Sequence, residues 1–511
     1  VPIKVYFVRS FPRPFSAALS ATMASVLQGN TADGSEAATL PPHVLVFPFP
    51  AQGHMIPLLD LAHLLSLRGL AITVLVTSNN LPLLPPLLSR APAIRSLVLP
   101  FPPDPSFPAG VENIRGLPLS YFIPMIRALG ELREPIIRWA RSAPSPPDAI
   151  LSDFFLGWTC GVAAELCIPR VVFCPSGAFA LSVLHCLWRE MPQRGDPADD
   201  DFPVAFPGIP NSPVFPWRQI SDLYRRYRKG DPGWESVKQG FLDNIASWGY
   251  AFNTFADLEV PYLRHLQSDL GHSRVWAVGP LLPPDGAALD RGGPSSVQAG
   301  GVLRWLDSCP EGKVVYVCFG SQAALTRPQT EALATALERS GVQFVWCVRE
   351  AAEGSGGSGH LPEGFQGRTA ARGVVVRGWA PQVAILGHVA VGWFLTHCGW
   401  NSVLEAVTAG VAMLTWPMSA DQFINARLLT EEAGVAVRAC EGADGMPDPV
   451  ELASVIAEAV EGRRPERARA LDLSGKAAEA ITEGGSSHRE LGELVDQLFS
   501  LKRKPEGASS S

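Results

Sequence analysis

The chain has little charge and no excess of basic residues. Charged side chains make up 18% of its 511 residues and the formal net charge is −7, so it lacks the basic footprint of a nucleic-acid binder. It also lacks any Cys-x-x-Cys pair. Its nine cysteines are scattered and odd in number, which argues for reduced thiols in a cytosol-like compartment and against a zinc site or disulfide scaffold. No run of 18 apolar residues is free of charge. The richest, around Ala149 to Cys174, holds Asp153, Glu165 and Arg170, so no membrane span is expected. Neither an Asp-x-Asp motif nor a His cluster suggests a catalytic metal. Hydrophobic residues reach 47%, enough for large cores, and the length suits two or three domains of a globular enzyme.

Residues 1–41 stand apart. The first 32 contain Lys4, Arg9 and Arg13, no acid and several serines. That bias fits either a plastid transit peptide or upstream, non-native sequence with Met23 as the true start, and in both cases a disordered segment. Beyond it, strand-like runs alternate with helix-like ones. Strands are expected at His43–Phe49, Ala71–Thr77, Ser96–Leu99, Asp148–Ser152 and Arg170–Cys174. Pro50–His54 reads as a tight loop before a helix at Met55–Leu67, and Ser120–Arg141 as one long helix with Pro interruptions. Pro192–Pro232 is rich in Pro, Gly, Asp and Arg and reads as an irregular region with short helices. The stretch 279–301 is the best linker. A second series follows: strand Lys313–Phe319, helix Thr326–Ser340, and strands at Val342–Val348 and Gly373–Gly378. The Gly-Ser run 354–359 lacks the lysine and the strand–helix context of a phosphate loop and reads as a surface loop. Such alternation implies parallel, doubly wound sheets with ligands at the strand C-terminal ends.

The most informative stretch runs from Trp379 to Gln422. An apolar strand, Val391–Leu395, enters Thr396-His397-Cys398-Gly399-Trp400-Asn401-Ser402, and a helix ended by Gly410 follows. Asn401 and Ser402 suit helix caps. Free amides and the dipole at such a helix start make an anion site, typically for phosphate. His397, Asn401 and Ser402 add side-chain donors there. Glu405, one turn on, suits a diol such as a ribose. Asp421 and Gln422 offer acceptors and donors after a second strand, Met413–Trp416.

In the first series, His54 sits between a strand and a helix N-terminus, where the dipole disfavours an imidazolium and keeps a base neutral. A loop histidine of no consequence is the alternative. Asp153 ends a buried strand, where a charge needs a partner or a capping role. Asp148 opens the same strand, at the wrong end of the sheet.

The stretch 379–422 resembles the 44-residue signature of plant family 1 UDP-glycosyltransferases: W-A-P-Q, H-C-G-W-N-S, the Glu, W-P and D-Q stand at its spacing. Two positions depart, Ala412 for the usual Pro and Trp393 for a smaller residue. The resemblance spans about His43 to Phe499 and implies the GT-B class, two Rossmann-like doubly wound domains facing a central cleft. It implies boundaries at 42–282 for the acceptor domain, 283–300 for the linker, 301–475 for the UDP-sugar domain and 476–501 for a helix packing back on the first domain, with a loose tail at 502–511. It assigns His54 as the base and Asp153 as the residue that holds it. For UDP it implies Trp379 on uracil, Ala380 and Gln382 on the base, Glu405 on the ribose, and Ser321, His397, Asn401 and Ser402 on the diphosphate. For the sugar it implies Ser176, Trp400, Asp421 and Gln422, the terminal Gln commonly going with UDP-glucose. A packed core position is the alternative for Trp379.

The expected activity is therefore inverting transfer of glucose from UDP-glucose to a phenolic, flavonoid-like hydroxyl, with no cofactor and no metal. The expected partners are these two substrates, and the chain is expected to be a cytoplasmic monomer. A non-catalytic UDP-sugar binder is the alternative, and intact His54 and Asp153 count against it. A dinucleotide oxidoreductase would need GxGxxG after the first strand, where Phe47–Gly53 has none.

Overall fold

The computed structural model describes residues 40–282, 299–348 and 361–502. Most of the N-terminal extension, most of the linker, the Gly-Ser run at 354–359 and the tail beyond 502 lie outside these residues. The described residues form two compact units: one holds 40–282 together with 480–502, the other holds 299–479.

The first unit contains a seven-stranded parallel sheet. Its strands are β1 (His43–Phe47), β2 (Ala71–Thr77), β3 (Arg95–Leu99), β4 (Ala149–Asp153), β5 (Arg170–Cys174), β8 (Gly249–Phe252) and β9 (Val275–Ala277), in the order β3-β2-β1-β4-β5-β8-β9. A separate hairpin of β6 (Pro203–Ala205) and β7 (Val214–Pro216) lies in the Pro-rich stretch, which also holds two short helical turns, Trp217–Gln219 and Asp222–Arg225, between irregular segments. Strands β1, β4, β5 and β8 are buried along their whole length. That is the pattern of a sheet covered on both faces, and their Val, Ile, Leu and Phe content supplies it.

Two helical expectations change here. Helix α1 spans Gln52–Leu67, so His54 lies in its first turn and not in a preceding loop. The amides of His54 and Met55 both bond to the Ala51 carbonyl, which starts the helix earlier than the apolar spacing suggests. The stretch 120–141 is two helices, Phe122–Gly130 and Arg133–Ser142, broken between them. Helix α2 spans Ala178–Glu190, α3 spans Pro232–Ile245 and α4 spans Ala256–Leu270.

The second unit has a six-stranded parallel sheet of β10 (Val314–Cys318), β11 (Gln343–Val348), β12 (Gly373–Arg377), β13 (Val391–Thr396), β14 (Ala412–Thr415) and β15 (Ala436–Arg438), ordered β12-β11-β10-β13-β14-β15. Trp393, one of the two departures from the family signature, is fully buried near the start of β13, away from the strand's C-terminal end. Helix α5 spans Trp400–Thr408 and α6 spans Gln422–Arg427. Each sheet is therefore doubly wound, as expected of GT-B halves. In each, the order reverses between two adjacent strands, β1 and β4 in one and β10 and β13 in the other. A crevice for ligands opens outside the C-terminal ends of such a pair. All nine cysteines are free. No helix among the described residues is long and apolar enough to cross a membrane.

The last helix, α7 (Ser486–Lys502), returns to the first unit. Leu491, Leu494, Val495 and Leu498 share the apolar core of Val44, Val46, Leu58 and Leu61. Its Glu490 carboxyl accepts a hydrogen bond from the Ala277 amide, and burial pushes this acid up to about 7. The folded chain thus holds the Glu490 proton more tightly than the unfolded one does. Its contribution to stability is present below the ordinary glutamate value of 4.5 and is lost as pH rises toward 7. Glu490→Gln keeps an acceptor for Ala277 and removes the charge. We expect it to raise stability at pH 8 by roughly 1–3 kcal/mol and to change little at pH 4.5. Melting curves at the two pH values check this; an equal shift at both contradicts it.

Candidate active site

The reversal point of the first sheet carries His54 and Asp153. Phe47 at the end of β1 pairs in register with Ser152 of β4, so the segment after β1 and the end of β4 share one edge. His54 comes 99 residues before Asp153 in sequence, yet its Nδ1 lies 2.8 Å from Asp153 Oδ2. Against a carboxylate acceptor Nδ1 is the donor, and in that neutral tautomer the Nε2 lone pair is left for another group. The Asp153 side chain is fully buried and that of His54 is 17% exposed. Asp153 also fills the capping role: its Oδ1 accepts from the Phe155 amide at 2.9 Å and closes the short turn Phe154–Leu156. Both readings of this residue therefore hold at once. Asp148, at the opposite end of β4, accepts from the His43 amide and pairs with Lys502.

Aromatic rings fix the imidazole. Phe155 and Phe154 stack on it with centroids 5.0 and 5.6 Å away, and Phe49 meets it edge-on at 5.6 Å. Phe122 and Phe241 extend this wall. A cavity bounded by Ile126, Phe154, Phe155, Trp158, Val237 and Phe241 adjoins it. The alternation of strands and helices gives no sign of this cage, because its members come from four separate segments. Ser176 follows β5, the next strand over, with its carbonyl accepting from the Cys174 thiol at 3.4 Å.

The second sheet gathers the other candidates at the C-terminal ends of its strands. Ser321 follows β10, Trp379 and Ala380 follow β12, His397 follows β13, and Asp421 and Gln422 follow β14. Trp379 is half-buried, so it is no packed core aromatic. Cys318 pairs with Thr396, which brings the Gly320–Ser321 turn beside His397. The fit is tight: a Cβ on Gly320, whose φ is +73°, would lie 2.6 Å from the His397 ring, and one on Gly399 would lie 2.4 Å from it. Glycine is required at 320 both for this contact and for the left-handed backbone. Burial pushes His397 down to about 4. The ring is neutral at physiological pH and can donate one N–H without carrying a charge.

Helix α5 is capped by Gly399, in extended conformation, and not by Asn401 or Ser402. Those two lie inside the first turn. The turn needs the left-handed Cys398, φ +64°, to swing from strand to helix, so the helix begins earlier than residue preference suggests. Asn425 of α6 holds that turn, its Nδ2 donating to the Cys398 carbonyl at 3.0 Å. No local signal marks Asn425. Gln382 Nε2 donates to Ser402 Oγ and to Glu405 Oε2, both at 2.8 Å, and Gln382 Oε1 accepts from the buried Tyr316 hydroxyl at 3.3 Å. The Gln382 side chain thus links two candidate ligand residues. Trp400 is 3% exposed, which leaves its backbone, at the first helical position, as the part able to meet a sugar. Gln422 is buried and its Oε1 accepts from the Met418 and Ser419 amides at 2.9 and 3.1 Å. Its amide N–H groups remain as donors. Asp199–Asp201 is a surface acidic run in which Asp200 pairs with Arg194 and Asp201 with Arg218. Among the described residues, no group of three or more His, Cys, Asp or Glu is placed to hold a metal ion.

The model of the family described as UDP-glucoronosyl and UDP-glucosyl transferase matches residues 299–445. A flavonol 3-O-glucosyltransferase of Arabidopsis thaliana is 55% identical over 462 residues, which is 90% of this chain and 96% of that one. The crystal structure of UGT89C1 from Arabidopsis thaliana complexed with UDP-L-rhamnose superposes with a TM-score of 0.74 at 41% identity, covering 90% of this chain and all of that one. The same enzyme complexed with quercetin superposes with a TM-score of 0.73 at 39% identity over the same shares.

Proposed function

The chain belongs to the plant family 1 UDP-glycosyltransferases, and from that membership we propose that it moves glucose from UDP-glucose to a hydroxyl of a flavonoid-like phenol and inverts the anomeric carbon. The observation that carries the reading is the 2.8 Å contact between His54 Nδ1 and Asp153 Oδ2 beside a wall of phenylalanines. His54 Nε2 takes the proton as the acceptor O–H bond breaks. The acceptor oxygen forms a bond to the anomeric carbon, the bond from that carbon to the UDP oxygen breaks, and the electron pair leaves with UDP. Asp153 balances the imidazolium that forms. A single displacement on an α-linked donor gives a β-O-glucoside.

For the donor, Trp379 stacks on uracil and Glu405 takes the ribose hydroxyls. The α5 N-terminus with Ser321, His397, Asn401 and Ser402 carries the diphosphate, which needs no metal in this scheme. Asp421, Gln422 and the Trp400 backbone meet the sugar in this reading, and the family pattern adds Ser176. The flat, apolar cage at His54 suits a planar aromatic acceptor, and the flavonol-directed relative supports that class.

A UDP-release assay tests the reading, with UDP-glucose, UDP-galactose and UDP-L-rhamnose against a panel of phenols that includes quercetin. Turnover should be fastest with UDP-glucose. Faster turnover with UDP-L-rhamnose would move the donor assignment to the sugar carried in the UGT89C1 complex. Gln422→His exchanges a two-proton amide donor for one N–H and one acceptor. It should erode the preference for UDP-glucose over UDP-galactose several-fold; a wild type that already prefers galactose sinks the role given to Gln422.

A further inference from the structure

Beneath the His54–Asp153 pair lies a cation that the scheme above leaves unused. Arg170, the first residue of β5, is fully buried and among the largest buried side chains of the protein. Its Nε donates to Ser152 Oγ at 2.8 Å, and one terminal nitrogen donates to Asn244 Oδ1 at 2.8 Å and Ser247 Oγ at 2.9 Å. The other donates to the Asp153 carbonyl at 3.3 Å. None of these four acceptors is a carboxylate. A buried guanidinium met only by neutral oxygens costs stability, because its desolvation is not offset by an ion pair. The charge persists nonetheless: burial pulls Arg170 down only to about 10, far above neutrality.

The same network grips the site from two sides. Arg170 holds the Asp153 backbone directly. Through Asn244, whose Nδ2 donates to the Phe154 carbonyl at 2.7 Å, it holds the residue that stacks on His54. The ionisable groups that feel Arg170 are Asp153 at the end of β4, Tyr250 on β8, Cys160 on the helix Thr159–Glu165 and Asp243 on α3. Of these, Asp153 is the acid in contact with the reacting histidine, and burial keeps the Tyr250 hydroxyl protonated.

We propose that Arg170 is a positioning residue of the transferase, a buried cation that acts through Asp153 to keep its carboxylate ionised and aimed at His54 Nδ1. The proposal rests on the assignment of His54 and Asp153 as the base and its partner. A positive charge at this site stabilises the aspartate anion and opposes a second proton on the pair. Removing it makes the pair easier to protonate, so activity must fail at a higher pH. A residue that merely packs lowers the rate without moving that limb.

The test is the pH profile of kcat/KM for quercetin with saturating UDP-glucose, in the full-length chain. Comparison of variants on one acceptor cancels the acceptor's own ionisation. Arg170→Met should lower kcat at least tenfold and move the acid limb up by about half a pH unit or more. Arg170→Lys keeps the charge and should leave the limb in place whatever its rate. Asn244→Asp leaves the guanidinium in position but sets a carboxylate against it, and should move the limb up as Arg170→Met does. If Arg170→Met does not fold, Asn244→Asp and Arg170→Lys decide the matter. A folded Arg170→Met or Asn244→Asp enzyme whose acid limb coincides with wild type overturns the proposal and leaves the proposed function standing. Absence of transfer by wild type from every UDP-sugar tried would fail the function itself.

Discussion

His54→Ala should abolish most transfer to hydroxyl acceptors, a loss of about a hundred- to ten-thousand-fold in kcat, while UDP binding stays nearly unchanged. The reason lies in where each group is built. The base comes from the first turn of α1 in the first unit, and every residue assigned to the nucleotide belongs to the second unit. Asp153→Asn should also be severe. An amide in place of Asp153 cannot balance the imidazolium, and it can present an N–H to Nδ1 in place of an acceptor, which favours the wrong tautomer. Because His54 Nδ1 and Asp153 Oδ2 are 2.8 Å apart and act as one unit, the double variant should lose little more than the worse single one. Steady-state rates of the three variants measure this. Proton NMR of the product's anomeric signal adds the stereochemistry: an α-linkage, or a His54→Ala enzyme near wild-type rate, contradicts single displacement with His54 as base.

Trp379→Ala should weaken UDP binding by about 1–3 kcal/mol, roughly a five- to hundred-and-fifty-fold rise in Kd, by the scale of base–aromatic stacking. The half-buried indole follows β12 at the same sheet edge as His397 and Ser321, and truncating it removes a flat face without opening a core. The melting temperature without ligand should therefore change little. Calorimetric titration with UDP separates the two outcomes: unchanged affinity in a folded variant removes Trp379 from the nucleotide site.

Much of the site lies open in the sequence where its parts are close together along the chain. From Trp379 to Gln422, one strand–turn–helix–strand passage carries most of the nucleotide and sugar candidates, and local patterning places each beside its neighbours. The errors there are also local. Gly399 takes the cap position from Asn401 and Ser402, since the left-handed Cys398 brings the helix start forward. Strands β8 and β9 escape the pattern because they are only four and three residues long, too short to show a period.

The sequence by itself determined the two-fold alternation of strands and helices, the family and the residue types available for acid–base chemistry and anion binding. These are properties of short windows, set by side-chain period, cap preference and backbone freedom. The tertiary structure alone decided that β4 lies against β1, which turns a separation of 99 residues into a 2.8 Å hydrogen bond. It alone set Phe49, Phe154 and Phe155 against His54, with Phe122 and Phe241 behind them, and buried Arg170 under Asp153 with only neutral hydrogen-bond partners. Strand order and cage membership depend on which faces exclude water together across the whole sheet, and that choice is made by long-range packing that no local window contains.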